Sequence, residues 1–290
     1  MTSSESRPPM TEPPIFQLLP LEDKRSRRAA PFHRDLLRRL YYACAALAID
    51  PRRLAYSWRA LPHYVGNAVS YWRRNRQRSF RIRGRDLQFA TSDRFLGAAS
   101  LRGHYFLQDL WAARHLYQRG VQHHTDIGSR VDGFIAHLLT FCGVTHVDIR
   151  PLEAQVDGLT FRQGSITALP FPDNSVESLS CLHVIEHVGL GRYGDSIDPD
   201  GHLKAAAELS RVLKPGRELL LGTPVGRERL CFDAHRVFDP ATIPAMLEPL
   251  ALQRFALIDD RGMDINADAT FEEARRCTYG CGLFVFEKAR

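Results

Sequence analysis

The chain has 290 residues, 44% of them apolar and 25% charged, enough to bury the core of one large domain with an appendage or of two modest domains. It lacks a run of about 18 apolar residues and an apolar signal core near Met1, so neither a membrane span nor a secretory leader is expected. The net charge of +6 is unevenly divided: residues 1–120 carry 22 Lys and Arg against 9 Asp and Glu, +13, and residues 121–290 carry 17 against 24, −7.

Residues 1–31 are rich in Ser, Pro and charge, with too little apolar surface to fold alone, and read as a disordered tail. Residues 32–120 read as a basic helical region. Leu36, Leu37, Leu40, Tyr41, Cys44 and Leu47 follow helical spacing over 32–49, and Asp50-Pro51 stops that helix. A second helix is predicted over 54–75, with Trp58, Leu61, Tyr64, Val65, Val69 and Trp72 apolar and Arg73, Arg74, Arg76 and Arg78 at its end. The arginines read as a solvated helix cap, or as contact with an anionic membrane surface; nucleic acid is the weaker partner because no recognised nucleic-acid motif accompanies them. Residues 79–89 alternate enough for a short strand or hairpin, and a strong helix follows over 103–117.

From Val121 the pattern changes. A β-capable run ends at Asp126-Ile-Gly128, and Val131, Phe134, Ile135, Leu138 and Leu139 then mark a helix over 130–142. A second strand over 144–149 ends near Asp148, about 20 residues beyond that turn, the distance at which a nucleoside-binding fold places its ribose carboxylate. A glycine at the first turn lets backbone N–H groups approach such a ligand. The competing reading makes Gly128 an ordinary turn and Asp148 a solvated strand end. Strands over 159–163 and 176–182 follow, separated by the proline loop Leu169-Pro-Phe-Pro-Asp-Asn174.

Asp126-Ile-Gly128, Val147-Asp148-Ile149, the run from Gly164 to Val176, His183-Val-Ile-Glu-His-Val188 and Glu208-Leu-Ser-Arg-Val-Leu-Lys-Pro-Gly216 stand in the order of a known family. On these motifs the chain resembles the class I S-adenosylmethionine-dependent methyltransferases of the small-molecule, type 11-like branch. More narrowly, Gly189-Leu-Gly-Arg-Tyr-Gly-Asp195, Asp198-Pro-Asp-Gly201 and Ala234-His-Arg-Val237 resemble a bacterial domain of unknown function, number 268. The resemblance implies an α/β fold: a Rossmann-like, seven-stranded, mostly parallel sheet with helices on both faces, over 121–290. The family's first motif continues with two further glycines, and Arg130 and Asp132 stand in their places here. The connection over 149–159 is short for the usual crossover helix, which is expected to be cut to a turn.

The resemblance also implies S-adenosyl-L-methionine as cofactor. Asp126 and Gly128, with Ser129, would hold its methionine end; Asp148, with Ile149, the ribose; Ser165 and Ile166 the adenine edge. His183 would lie beside the methionine part. His187 would take the proton of an acceptor hydroxyl, imidazole titrating near neutral pH. Tyr105, Gln108 and Asp109 on the preceding helix would line the pocket. The polar loop 189–201, through Arg192, Tyr193, Asp195 and Asp198, and the wall formed by His235 and Arg236, would hold a small polar or saccharide-type acceptor.

Two other readings stay open. One is a methyltransferase-like binding module without catalysis, with Arg130 and Asp132 obstructing the cofactor. The other is a metal-dependent enzyme: a helix starting at His183 would put His183 and His187 on one face, with Asp195, Asp198 or His202 as third ligand. No metal ligand is assigned on this evidence. Of the six scattered cysteines, Cys44, Cys142, Cys181, Cys231, Cys277 and Cys281, only the last two are close, and they read as structural; a reducing cytoplasm suits such a set. The remaining elements are helices over 201–214 and 240–250, a fifth strand over 218–222, and a reversed terminal pair over 252–258 and 282–287.

Overall fold

The structure, a computed structural model, describes residues 51–75, 81–88, 101, 103–153 and 155–290. The chain divides into two compact units, Met1–Ser100 and Leu101–Arg290. The expected tail over 1–31 and the helix over 32–49 lie outside the described residues.

In the first unit Pro51 opens helix α1, Pro51–Arg74, its fixed φ suiting the first helical position, and Arg73 and Arg74 complement the dipole at the other end. Leu54, Trp58, Leu61, Val65, Val69 and Trp72 recur at three- and four-residue steps and are exposed. The strand expected over 79–89 is absent from its described part, which holds a single 3-10 turn, Gly84–Asp86. An isolated run with only Ile82 and Leu87 apolar, both exposed, has no ladder partner among the described residues.

The second unit is built on a seven-stranded sheet. Its strands are β1 (His123–Ile127), β2 (Gly143–Asp148), β3 (Leu159–Gln163), β4 (Leu179–Leu182), β5 (Glu218–Val225), β8 (Ala251–Ile258) and β9 (Gly280–Glu287), in the order β3-β2-β1-β4-β5-β9-β8. The first five are parallel and β9 runs antiparallel to both its neighbours. Between β5 and β8 a small ribbon pairs β6 (Arg229–Cys231) with β7 (His235–Val237); sequence periodicity does not reveal strands of three residues.

Helix α2, His104–Gln118, packs Ala112, Ala113 and Leu116 with Phe134, Ile135 and Leu138 on one face of the sheet, where they meet Leu220 and Val285. Helix α2 therefore belongs with the sheet, and that unit starts at Leu101, not at residue 121. On the opposite face helix α4 (Gly201–Val212) and the short α5 (Thr242–Met246) cover Ile127, Val147, Leu219 and Leu221. Leu219 and Leu221 face one way and Leu220 the other, as the two-residue strand period requires.

The helix expected over 130–142 is shorter. A π-helical turn, Val131–Ile135, runs into α3, Ala136–Leu138. A Cβ at Gly133 would stand 2.3 Å from Asp109 Oδ2, so the glycine admits α2's carboxylate against this turn. No helix crosses between β2 and β3 among the described residues, as the short connection implied. Strand β4 starts at Leu179, three residues later than expected, and Val176 instead bridges to Leu213. Helix α6, Phe271–Arg275, carries a capping box at Thr270 and Glu273. Among the described residues no helix is long and apolar enough to cross a membrane.

Candidate active site

The turn after β1 is held from beneath by a buried carboxylate. Asp126 accepts from Ser129 N (3.0 Å), Ser129 Oγ (2.5 Å), Ser180 Oγ (2.6 Å) and His146 Nδ1 (2.9 Å). Burial by itself would raise its pKa, but these donors, His146 foremost, hold it below the usual carboxylate value. Asp126 is fully buried and does not reach the cleft, so its expected contact with a cofactor is replaced by a supporting one. Its grip shapes the next residues: Gly128 sits at φ +70, and a Cβ there would lie 3.0 Å from Val184.

The turn opens onto a cleft at the carboxyl ends of β1, β2, β3 and β4. It consists of two contiguous hollows of about 270 and 320 Å³, which share Gly128, Asp148, Arg150, His183, His187 and Tyr193. The first also meets Tyr105, Ser129, Arg130 and Asp132; the second meets Ile149, Ser165, Ile166, Thr167, Asp195 and Asp198. Residues that immediately follow four parallel strands converge because a parallel sheet brings all those ends to one edge.

Its polar wall is formed by histidines around one acid. His183 follows β4 at φ +56, and a 3-10 turn, Ile185–His187, comes next. The expected helix does not start here, so the two imidazoles are gathered by Glu186 and not by a helical face. His183 Nδ1 donates to Glu186 Oε1 at 2.7 Å, and His187 Nε2 lies 3.7 Å from the same oxygen. Thr223 Oγ1 donates to Glu186 Oε2 at 3.3 Å. Burial disfavours charge on this acid, but His183 beside it keeps the carboxyl ionised, its pKa below the ordinary value. His187 Nδ1 donates to the Ala234 carbonyl at 2.6 Å, which leaves Nε2 as the basic nitrogen. Burial lowers the His187 pKa, so this imidazole is neutral at pH 7.

A β3-β2-β1-β4-β5-β9-β8 sheet with its cleft on this edge decides the architecture. The fold is Rossmann-like: a seven-stranded, mostly parallel sheet covered by helices on both faces. Residues 173–277, from the loop before β4 to just past α6, match the family described as Caenorhabditis protein of unknown function, DUF268. That description names Caenorhabditis, where the sequence resemblance points to a bacterial group. No curated protein matches the chain in sequence. Among solved structures the chain is similar to the [4+2]-cyclase SpnF, at 12% identity and a TM-score of 0.48, over 66% of this chain and 86% of that one. It is similar to a putative sarcosine dimethylglycine methyltransferase from Galdieria sulphuraria, at 16% and 0.47, over 63% and 84%. It is also similar to the N-methyltransferase NodS from Bradyrhizobium japonicum in complex with S-adenosyl-L-homocysteine, at 16% and 0.45, over 63% and 85%.

On this frame the cleft gathers Gly128, Ser129, Asp148, Ile149, Ser165, Ile166, His183, His187, Tyr105 and Tyr193, all singled out in the sequence. Asp148 arrives with a partner the sequence reading did not give it: Arg150 clamps it through Nη2 at 2.7 Å and Nε at 3.0 Å, and stacks on Tyr193. Five other expected residues turn away, Gln108 among them, buried on α2. Asp109 is buried against Gly133, donated to by Gln108 Nε2 at 3.3 Å, and burial pushes its carboxyl up to about 6. Arg236 donates to the carbonyls of Val188 (2.7 Å) and Pro199 (3.2 Å), and so fastens the loop 189–201. Arg192 donates to the Ala234 carbonyl at 2.9 Å, and His235 packs on the Tyr279 ring. A half-buried arginine facing backbone carbonyls spends its donors there.

Arg130 and Asp132, read only as departures from a glycine motif, line the first hollow as an ion pair of 2.8 Å, with the Arg130 guanidinium over the Tyr105 ring. The proposed metal ligands disperse. Asp195 accepts from Gly189 N, Asp198 pairs with Lys204, and His202 packs on Phe238.

Proposed function

We propose that this chain binds S-adenosyl-L-methionine in the cleft and catalyses transfer of its methyl group to an acceptor oxygen of a small polar or saccharide-type molecule. The observation that carries the reading is the placement of Gly128, Asp148 and Ser165 at three adjacent strand ends, with the basic Nε2 of His187 on the same cleft wall. The residues fit such a ligand. Gly128 leaves the space a side chain would fill, Asp148 offers acceptors for two ribose hydroxyls, and Ser165 is an uncharged partner for the adenine edge.

When bound, the sulfonium supplies an electrophilic methyl. The chain's task is then alignment and proton removal. Ala234 fixes the His187 tautomer, so Nε2 takes the acceptor's hydroxyl proton, and Glu186 stabilises the imidazolium that forms. Tyr193 and the loop closed by Gly189 N to Asp195 form the side from which an acceptor enters. The exposed apolar stripe of α1, ending in Arg73 and Arg74, supports peripheral contact with an anionic membrane surface.

One observation favours a second reading, a binding module without transfer: Arg130 and Asp132 occupy the first hollow where close backbone approach is needed. Calorimetric titration with S-adenosylmethionine and S-adenosylhomocysteine separates the two. Micromolar binding is expected, weakened about tenfold or more by Asp148→Ala, the loss of hydrogen bonds to a charged acceptor. A folded sample that binds neither ligand would overturn the methyl-transfer reading.

A further inference from the structure

Three side chains from three distant elements meet behind the histidine wall. His104 opens α2, His183 follows β4, and Cys281 is the second residue of β9. One ligand-type atom of each, a ring nitrogen from either histidine and the Cys281 sulfur, lies within 4.8 Å of the other two. A tetrahedral zinc with bonds of about 2.0–2.3 Å holds such atoms about 3.3–3.6 Å apart, so closing the set takes movements of up to about 1.5 Å and a turn of one of the His104 and His183 rings, which stack 5.2 Å apart.

The remaining ring nitrogens are already committed in the sense that metal ligation requires. His183 Nδ1 donates to the Glu186 carboxylate at 2.7 Å, and His104 Nε2 donates to the Tyr279 carbonyl at 3.1 Å. A carbonyl oxygen only accepts, so His104 keeps its lone pair on Nδ1. A histidine anchored by a carboxylate or a backbone carbonyl through one nitrogen is the arrangement that orients the other toward a metal. His183 Nε2 is buried and has no hydrogen-bond partner. A buried polar atom in that state calls for an occupant.

We propose that His104, His183 and Cys281 bind one divalent zinc ion, oriented by Glu186 and the Tyr279 carbonyl. One thiolate with two imidazoles selects zinc over magnesium or calcium, which take oxygen ligands. Three protein ligands leave a fourth position, the pattern of zinc sites that bind an exchangeable ligand, and His183 itself forms part of the cleft wall. Binding breaks the Cys281 S–H bond, forms a sulfur–metal bond and releases one proton to solvent. The proposal is independent of methyl transfer, because metal binding is read without a sulfonium ligand.

The test uses the purified full chain, stripped of metal and titrated with zinc and with cobalt. About one equivalent of each is expected, with cobalt giving thiolate-to-metal charge-transfer absorption and the visible bands of a four-coordinate ion. Cys281→Ser should abolish the charge-transfer band, and Cys277→Ser, four residues away, should keep it. Glu186→Gln should weaken zinc binding about 10–100-fold. His104→Ala, at the half-buried start of α2, should abolish stoichiometric binding and serves if the Cys281 variant does not fold. A folded chain that takes up no cobalt, or whose charge-transfer band survives Cys281→Ser, overturns the proposal.

Discussion

Replacing Asp126 by asparagine tests the role assigned to it beneath the first turn. One carboxylate oxygen takes two N–H donors, Ser129 N and His146 Nδ1, and the other takes two hydroxyls, from Ser129 and Ser180. Asparagine can keep its oxygen toward the N–H donors, and the hydroxyls can turn to accept from its amide. The shape survives, but four charge-assisted bonds become neutral ones, each weaker by roughly 1 kcal/mol, offset in part by the lower cost of burying an uncharged group. The net expectation is a loss of about 2–4 kcal/mol, or roughly 4–16 °C in melting temperature for a unit of this size. Asp126→Ala leaves all four donors without an acceptor, at about 1–3 kcal/mol each, which rivals the whole stability of a domain. Thermal melts and urea titrations of the two variants read this directly. The folded-state pKa of Asp126 is depressed, so its contribution is complete above the unfolded value and disappears as pH falls through the folded one; the asparagine variant should lack that part of the acid limb. An asparagine variant melting within about 2 °C of the parent, or an alanine variant no worse than it, would refute the reasoning.

His124 is buried between Ser178 and Ser180 and its pKa is lowered to about 4 by burial. Between pH 6.5 and 4 the unfolded chain takes up a proton that the folded chain refuses, so stability should fall by about 3 kcal/mol on acidification across that window; the same urea midpoints at both ends in the parent would contradict this. Gly189→Ala should destabilise by roughly 1–3 kcal/mol, since its φ is +79 and the new Cβ would stand 1.9 Å from the Asp198 carbonyl oxygen. Increased protease cutting within 189–201 is the expected sign, and an unchanged digest and melt would count against it. His187 should titrate below 6.5 in a proton-detected imidazole titration, because burial outweighs the attraction of Glu186; a value above 6.5 would remove it as a neutral base.

The sequence reading located the strand ends correctly where the residues are adjacent along the chain. Asp126-Ile-Gly128, Asp148 and Ser165 end or follow strands whose apolar runs are plain in the sequence, and all but Asp126 reach the cleft. It failed where long-range partners decide the direction of a side chain. Asp126 turns inward because His146 and Ser180, 20 and 54 residues away, donate to it. Asp109 finds a niche that only Gly133 could leave open, and Arg236 is drawn to carbonyls of a loop more than 30 residues before it. The Arg150 clamp on Asp148 was within reach of the sequence, since a two-residue step beyond a strand end lets an arginine fold back on the carboxylate.

Type and succession of elements along the chain are local matters: apolar period, glycine turns and prolines act within a few residues, so the sequence by itself marked the strand ends that form the cleft, while the α/β sheet was what its resemblance to a known family implied. The meeting of His104, His183 and Cys281 has no such local signal. It exists because β9 inserts antiparallel between β5 and β8, which brings Cys281 to His183 and His104, 98 and 177 residues away in the chain. Only tertiary packing decides which buried nitrogens are left facing one another.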